Sequence, residues 1–208
     1  MRKLMVTAFM SLDGVVQAPG GGDEEDDGGF EHSGWGVRYF DEPLIAAMAE
    51  LTGRAGALLL GRRTYDIFAA TWPLAKAGDP IGDRMNGLPK YVASRTLKSV
   101  AWQNASLLTG DVAAAVGELK RGEGGEIQVH GSAGLVQTLL QHDLVDEFHV
   151  LVFPVLIGSG KRLFAQGTMP AGLRLVSSTA SARGVITGTY VRDGALEYGV
   201  MGPETDNW

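Results

Sequence analysis

Three short stretches of this chain set small residues beside hydroxyl or guanidinium groups, a combination suited to holding an anion. The first, Gly131-Ser132-Ala133-Gly134, follows the apolar-alternating run Glu126–His130 and precedes Leu135–Leu140, whose apolar residues recur at helical spacing. A strand that turns through small residues into a helix leaves unpaired N–H groups and a partial positive charge at the helix start. Such a turn is a seat for phosphate, and small side chains let the ligand approach the backbone. The second stretch, Gly61-Arg62-Arg63-Thr64, follows Leu58-Leu59-Leu60, and the third, Ser94-Arg95-Thr96, follows Tyr91-Val92-Ala93. Each alone has a plain explanation as a turn glycine or a surface arginine. Their shared position at strand ends favours a bound nucleotide for Arg62 and for the Gly131 turn; Arg63 reads as a surface residue.

Other chemistry is poorly supported. The histidines His32, His130, His142 and His149 lack paired ligand spacing, so no metal site is expected; His130, at a strand end, is the one placed for a cofactor contact. Gly158-Ser159-Gly160-Lys161 has Val155 where a phosphate loop needs glycine and Arg162 where it needs Ser or Thr, so it reads as a turn from which Lys161 reaches a ligand. The acidic run Asp23–Asp27 lacks the glycine and glutamate pattern of a calcium loop and reads as solvated. Ser11 and Asp13 read as turn formers or as substrate contacts. Phe30 and Trp35 suit a lid or a dimer contact.

The elements that must position these groups alternate. Strands are expected at Leu4–Phe9, Ala57–Leu60, Tyr91–Ser94, Ser106–Thr109, Glu126–His130 and Glu147–Phe153. Helices are expected after Asp41 (through Leu44, Ile45, Met48 and Leu51), from near Arg63, after Asp111, and over Leu135–Leu140. Pro43 falls in a first turn, where proline is tolerated. Residues 18–36 form a long glycine-rich, acidic loop, and residues 203–208 a flexible tail. From Leu173 the pattern becomes alternating, with Val185–Val191 and Leu196–Val200 joined as a hairpin by Arg192-Asp193-Gly194. This order implies one α/β domain over residues 1–208, with a mostly parallel central sheet, helices on both faces and a C-terminal antiparallel hairpin. Ligands of such sheets sit at the carboxyl ends of the strands.

Composition agrees. The 208 residues carry a net charge of −6 and 45% hydrophobic residues, which speaks against nucleic acid or an anionic membrane as partner. Cysteine is absent, removing disulfides, thiolate catalysis and cysteine-ligated metals. No apolar run reaches the roughly 20 residues that span a bilayer, and the N-terminus turns polar by Ser11 and Asp13, so a cytoplasmic protein is expected.

The motifs resemble a known family. Leu58-Leu59-Leu60-Gly61-Arg62-Arg63-Thr64-Tyr65 is similar to the strand, Gly-Arg-x-Thr-aromatic turn and helix of the dihydrofolate reductase-like fold. Tyr91–Arg95 and Gly131–Gly134 stand where that three-layer fold has its next strand and its glycine-rich turn. Asp143-Leu144-Val145-Asp146-Glu147 and Phe153-Pro154-Val155-Leu156-Ile157-Gly158-Ser159-Gly160-Lys161-Arg162-Leu163-Phe164 resemble the C-terminal reductase domain of bacterial riboflavin biosynthesis. Stand-alone bacterial relatives share the Ser11-Leu12-Asp13-Gly14 start.

The resemblance implies an NADPH-dependent reductase acting on a small molecule. It places Arg62 on the adenosine 2′-phosphate with Ser94 and Arg95 beside it. Gly61 and Thr64, with the helix starting there, fall at the diphosphate. Gly131, Ser132, Ala133, Gly134 and Leu135 pack against the diphosphate and nicotinamide ribose, and Ala8 lies near the nicotinamide. On loop position, Asp13 and Asp41 are candidate catalytic carboxylates, and Ser11, Trp35, Phe153 and Lys161 candidate substrate contacts. Dihydrofolate reductase proper carries a carboxylate on its first long helix; counting back from Gly61 places Ile45 near that point, so reduction of dihydrofolate itself is not expected. Riboflavin-pathway pyrimidine reduction is the nearest named reaction, and an NADPH-binding sensor without turnover is the alternative. The resemblance and the apolar strand Glu147–Phe153 suggest a homodimer.

Overall fold

Parallel neighbours in a sheet need crossovers, and helices carry most of them here. The computed structural model describes residues 1–21 and 29–202. Its elements run β1 (Leu4–Ser11), α1 (Glu42–Gly53), β2 (Ala55–Gly61), α2 (Arg62–Thr71), α3 (Pro80–Gly87), β3 (Lys90–Ala93), β4 (Ala105–Leu107), α4 (Val112–Arg121), β5 (Glu126–His130), α5 (Ala133–Gln141), β6 (Glu147–Phe153), β7 (Leu173–Ala180) and β8 (Ile186–Arg192). They form one eight-stranded sheet in the order β4-β3-β2-β5-β1-β6-β8-β7. The first six strands in that order are parallel, and β8 joins β6 and β7 antiparallel. The acidic run Asp23–Asp27 and the tail 203–208 lie outside the described residues.

Strand alternation divides the core into two faces. Leu4, Val6 and Ala8 of β1, Leu59 of β2, Ile127 and Val129 of β5, and Phe148 and Val150 of β6 pack under Val116 of α4 and Leu135, Val136, Leu139 and Leu140 of α5. On the other face, Leu58, Leu60 and Val92 meet Tyr65 of α2 and Met85 of α3, while Leu151 and Phe153 meet Leu44 of α1. The apolar run Leu58–Leu60 is thus fully buried from both sides, as its composition predicts. Each fully buried leucine contributes about 1.5–3 kcal/mol. Helix starts follow the capping residues: Asp41 accepts from the Leu44 N–H at 3.0 Å and Asp111 from the Ala114 N–H at 2.7 Å.

Three expectations change. The hairpin pairs Leu173–Ala180 with Ile186–Arg192, and Leu196–Val200 forms no strand, because β8 already has a partner on each edge. Arg174, Ser177 and Ser178 blur the alternation of β7, which hides it in the sequence. Helix α3 has no counterpart among the expected elements: Asp79 caps it through the N–H groups of Ile81 and Gly82, but its two glycines and short length give little periodic signal. Finally, β6 lies between β1 and β8 and is buried in the sheet, so it offers no dimer surface. Exposed apolar residues appear instead on the edge strand β7, at Leu173, Leu175 and Val176.

Candidate functional site

Because β1, β2, β3 and β5 are parallel, their carboxyl ends open on the same edge of the sheet, where a cavity of about 1480 Å³ lies. That exceeds the ~300–1,000 Å³ of a usual small-molecule pocket and leaves room for a dinucleotide with a second molecule. Gly61, Arg62, Arg63, Thr64, Ser94, Arg95, His130 and Gly131 through Leu135 all line it. The structure therefore brings the three stretches into one wall.

Ser132 is the joint of that wall. It sits in the left-handed region at φ 53°, uncommon for a residue with a side chain, next to Gly131 at φ 50°. The Gly61 N–H donates to Ser132 Oγ at 3.0 Å, and Ser132 Oγ in turn donates to Thr64 Oγ1 at 2.9 Å. The β5–α5 turn is thereby bonded to the β2–α2 turn. The direction of these bonds matters. Thr64 Oγ1 accepts a hydrogen bond from Ser132, and its own O–H has no protein acceptor among the described residues. Ser132 does not cap α5 with its side chain, and the helix's first closed bond is Val136 N–H to Ser132 C=O, at 3.0 Å. The N–H groups of Ala133, Gly134 and Leu135 are left for a ligand. Nothing lies within 4 Å of where a Gly134 Cβ would stand, so that side of the turn is open.

Cationic groups flank this seat unequally. Arg62 lies 3.7 Å from Asp66, one turn along α2, both about two-fifths exposed. Arg95 is exposed and has no ion pair among the described residues. Ser94 Oγ accepts from the N–H groups of Thr96 and Leu97 at 3.1 and 3.0 Å, so it shapes the turn that presents Arg95.

The other end of the cavity is apolar and aromatic. Phe9 of β1, Phe40, Met48 and Thr52 of α1, and Ile67, Phe68 and Trp72 line it, with Thr7 and His130 at the strand ends. Thr7 and Phe9 point here because Ala8, between them, faces α5 in the core and is 2% exposed. Ala8 is thus a core residue rather than a lining one. The α1 residues on the cavity are Met48 and Thr52, four apart on one helix face. Ile45, expected there by counting, is exposed one turn before Met48 and does not line the cavity. Sequence reasoning misses these lining residues singly, although strand alternation from Ala8 and helical spacing in α1 and α2 carry the signal.

The remaining candidates, Lys161 excepted, stand outside the lining. Ser11 Oγ donates to Asp13 Oδ1 at 2.7 Å and accepts from Val15 N–H at 2.8 Å. Asp13 also accepts from the N–H groups of Ile157 and Gly158 at 3.1 and 2.7 Å, with Arg162 at 3.9 Å. The Ser11 hydroxyl and then the Gly158 N–H hold its carboxyl down at about 2. A group ionised at neutral pH and committed to a loop clasp is no proton donor. Asp41 is the α1 cap; its Oδ2 is buried without a partner, and it does not line the cavity. Phe153 is fully buried, with Trp35 edge-on at 5.4 Å, and the Trp35 indole N–H donates to Gln17 C=O at 2.7 Å. Both belong to the aromatic cluster behind the cavity. Lys161 does line the cavity, carried by the Val15–Arg162 bridge, which brings residues 160–163 against the end of β1.

No helix among the described residues is long and apolar enough to cross a membrane. The structure resembles a candidate riboflavin biosynthesis protein of Shewanella sp. PV-4, with a TM-score of 0.65, 21% identity, and coverage of 92% of this chain and 99% of that one. It also resembles a pyrimidine reductase-like protein of Corynebacterium diphtheriae, with a TM-score of 0.63, 14% identity and 92% coverage of each chain. At these identities the likeness concerns the fold. Two uncharacterized proteins of Bacillus subtilis (strain 168) are similar in sequence. YyaP is 26% identical over 194 residues, covering 91% of this chain and 94% of that protein. YwjB is 27% identical over 174 residues, covering 84% and 89%. The family model of the RibD C-terminal domain matches residues 2–187, and the strand-end wall falls wholly inside that match; the chain belongs to the RibD C-terminal domain family, a family of reductases with the dihydrofolate reductase-like fold.

Proposed function

We propose that this chain is an NADPH-dependent reductase that transfers hydride to a C=N or C=O group of a small heterocyclic or sugar-phosphate substrate. The nearest named reaction is reduction of 5-amino-6-(5-phosphoribosylamino)uracil. One observation carries the reading: the Gly61–Ser132–Thr64 hydrogen bonds tie two turns into one anion seat beside Arg62 and Arg95. The donors suit a diphosphate at the α5 start and a further phosphate between the two arginines.

When bound, NADPH supplies the hydride. The chain's own work is positional. The α5 N–H groups and the Thr64 hydroxyl anchor the phosphates, and Phe9, Phe40, Met48 and Phe68 form an apolar wall that positions the reacting end. Burial holds the His130 imidazole down at about 4, so it is neutral and does not act as an acid at neutral pH. Asp66, the lining carboxylate, is engaged with Arg62, which leaves water as the proton source. Lys161 and Arg162 at the other rim suit the phosphate of a sugar-phosphate substrate. With Met48 and Thr52 in place of a carboxylate on α1, dihydrofolate lacks the partner its pterin needs.

The lack of an unengaged carboxylate on the described lining also favours a second reading, an NADPH-binding sensor without turnover. Calorimetry with NADPH, followed by a screen of NADPH oxidation across pyrimidine-ribitol, pterin and small carbonyl acceptors, separates them. Binding with oxidation supports the reductase, binding without oxidation supports the sensor, and no binding sinks both.

A further inference from the structure

On the α1 side of β5, every second residue is polar: Glu126, Gln128 and His130. Gln128 is fully buried. Its amide nitrogen donates to the Leu51 carbonyl of α1 at 2.8 Å and lies 3.3 Å from Glu126 Oε2. Two acceptors on one side fix the amide, so its oxygen faces His130 Nε2, at 3.3 Å. An amide oxygen only accepts, and the network therefore assigns the proton to His130 Nε2. In a neutral imidazole the other nitrogen, Nδ1, is then an acceptor. His130 lines the cavity with its ring edge-on to Phe68 at 5.9 Å, and Nδ1 has no protein partner among the described residues.

We propose that His130 Nδ1 accepts a hydrogen bond from an N–H group of the molecule in the cavity, so that the site selects an occupant carrying a donor at that point. The role rests on the proposed reductase reading. Two sources offer the same chemistry: the carboxamide of the nicotinamide, and a ring N–H of a pyrimidine-like acceptor. Gln128 is the positioning residue, since its amide sets which nitrogen is bare.

The test is long-range ¹H–¹⁵N NMR on histidine-labelled protein, with affinities measured by calorimetry. The probes are NADPH against its 3-acetylpyridine analogue, which lacks the carboxamide N–H. Uracil is set against 1,3-dimethyluracil, with and without NADP⁺. The free protein is expected to show the Nε2–H tautomer. The Nδ1 resonance should move with the N–H-bearing member of one pair and not with its blocked partner, and the responding pair names the source. Within that pair, affinity should differ by about three- to tenfold, as one neutral hydrogen bond allows, and His130→Phe should abolish the difference. An Nδ1–H tautomer would overturn the proposal; so would an Nδ1 resonance blind to both pairs while calorimetry shows NADPH bound. Failure of NADPH to bind would refute the cofactor reading instead, and the uracil pair would then decide the role of His130 alone.

Discussion

Arg95 and Arg62 flank the same anion seat but differ in what they give up to bind a phosphate. Arg95 is exposed and unpaired among the described residues, so a 2′-phosphate beside it gains a charge-assisted contact without breaking one. Such contacts contribute about 1.5–3 kcal/mol, and Arg95→Ala should raise the Kd for NADPH about 10- to 100-fold. Arg62 is held 3.7 Å from Asp66, a half-exposed pair of the kind that contributes about 0–1 kcal/mol. Part of its phosphate contact is offset by loss of that pair. Arg62→Ala should therefore weaken NADPH less than Arg95→Ala, and Asp66→Asn should tighten NADPH by up to about fivefold. NADH, which lacks the 2′-phosphate, should be nearly indifferent to all three changes. Fluorescence titration of each variant with both cofactors at one fixed ionic strength measures these ratios, because salt screens exposed charges. Equal weakening of NADPH and NADH by Arg95→Ala would refute the assignment of the phosphate to this end of the cavity.

Close contacts and buried charge set the stability of the scaffold in three testable places. Lys90 is fully buried, donating to the carbonyls of Asn86, Leu88 and Gln103 at 2.7, 2.8 and 3.1 Å, so Lys90→Met should cost about 2–4 kcal/mol in urea denaturation. Burial lowers its pKa from the ordinary 10.5 to about 8, so between those values the unfolded chain binds more protons. Wild-type stability should therefore rise with pH through that window and widen its margin over Lys90→Met; a flat margin would contradict the burial argument. A Cβ on Gly56 would lie 2.6 Å from Gly125 N, backbone against backbone where β2 meets β5, so Gly56→Ala should lower stability by about 2 kcal/mol or more in the same denaturation assay. Gly160, at φ 121°, would bring a Cβ within 2.8 Å of buried Val15 and 2.9 Å of Phe30. Gly160→Ala should therefore cost about 1–3 kcal/mol by thermal melting, and an unchanged melt would show that the 160–163 loop yields freely.

The central architecture was legible because its signals are local. Leu58-Leu59-Leu60 needs cover on both faces whatever else the chain does, and Asp41 and Asp111 bond to N–H groups three residues away. The C-terminal hairpin was misplaced because its pairing is a contest between edges. Leu196–Val200 alternates as well as β7 does, yet only the fold reveals that β8 has no edge left to offer. The burial of β6 is of the same kind: an apolar strand looks alike at an edge or at the centre, and β6 is central because β8 covers it.

The same distinction divides the cavity. Its anion end is made of consecutive backbone at three strand ends, so residue type and spacing announce it before any fold is known. Its acceptor end draws one or two side chains from each of β1, α1, α2 and β5, and no stretch of sequence contains the pattern. Sequence position alone misleads at that end, as Asp13 demonstrates. A carboxylate in a Ser-Leu-Asp-Gly turn near a strand end has the chemistry of a general acid, but a loop 145 residues away donates its N–H groups to it and fixes the charge. Across the acceptor end, function depends on which face of a strand or helix looks inward. Ala8 faces the core and Thr7 and Phe9 the cavity; on α1, Ile45 lies exposed beyond the lining, and Met48 and Thr52 on the following turns reach it. A one-residue error in register there exchanges a core residue for a contact. The cofactor class can thus be argued from motifs, whereas the acceptor has to be argued from geometry.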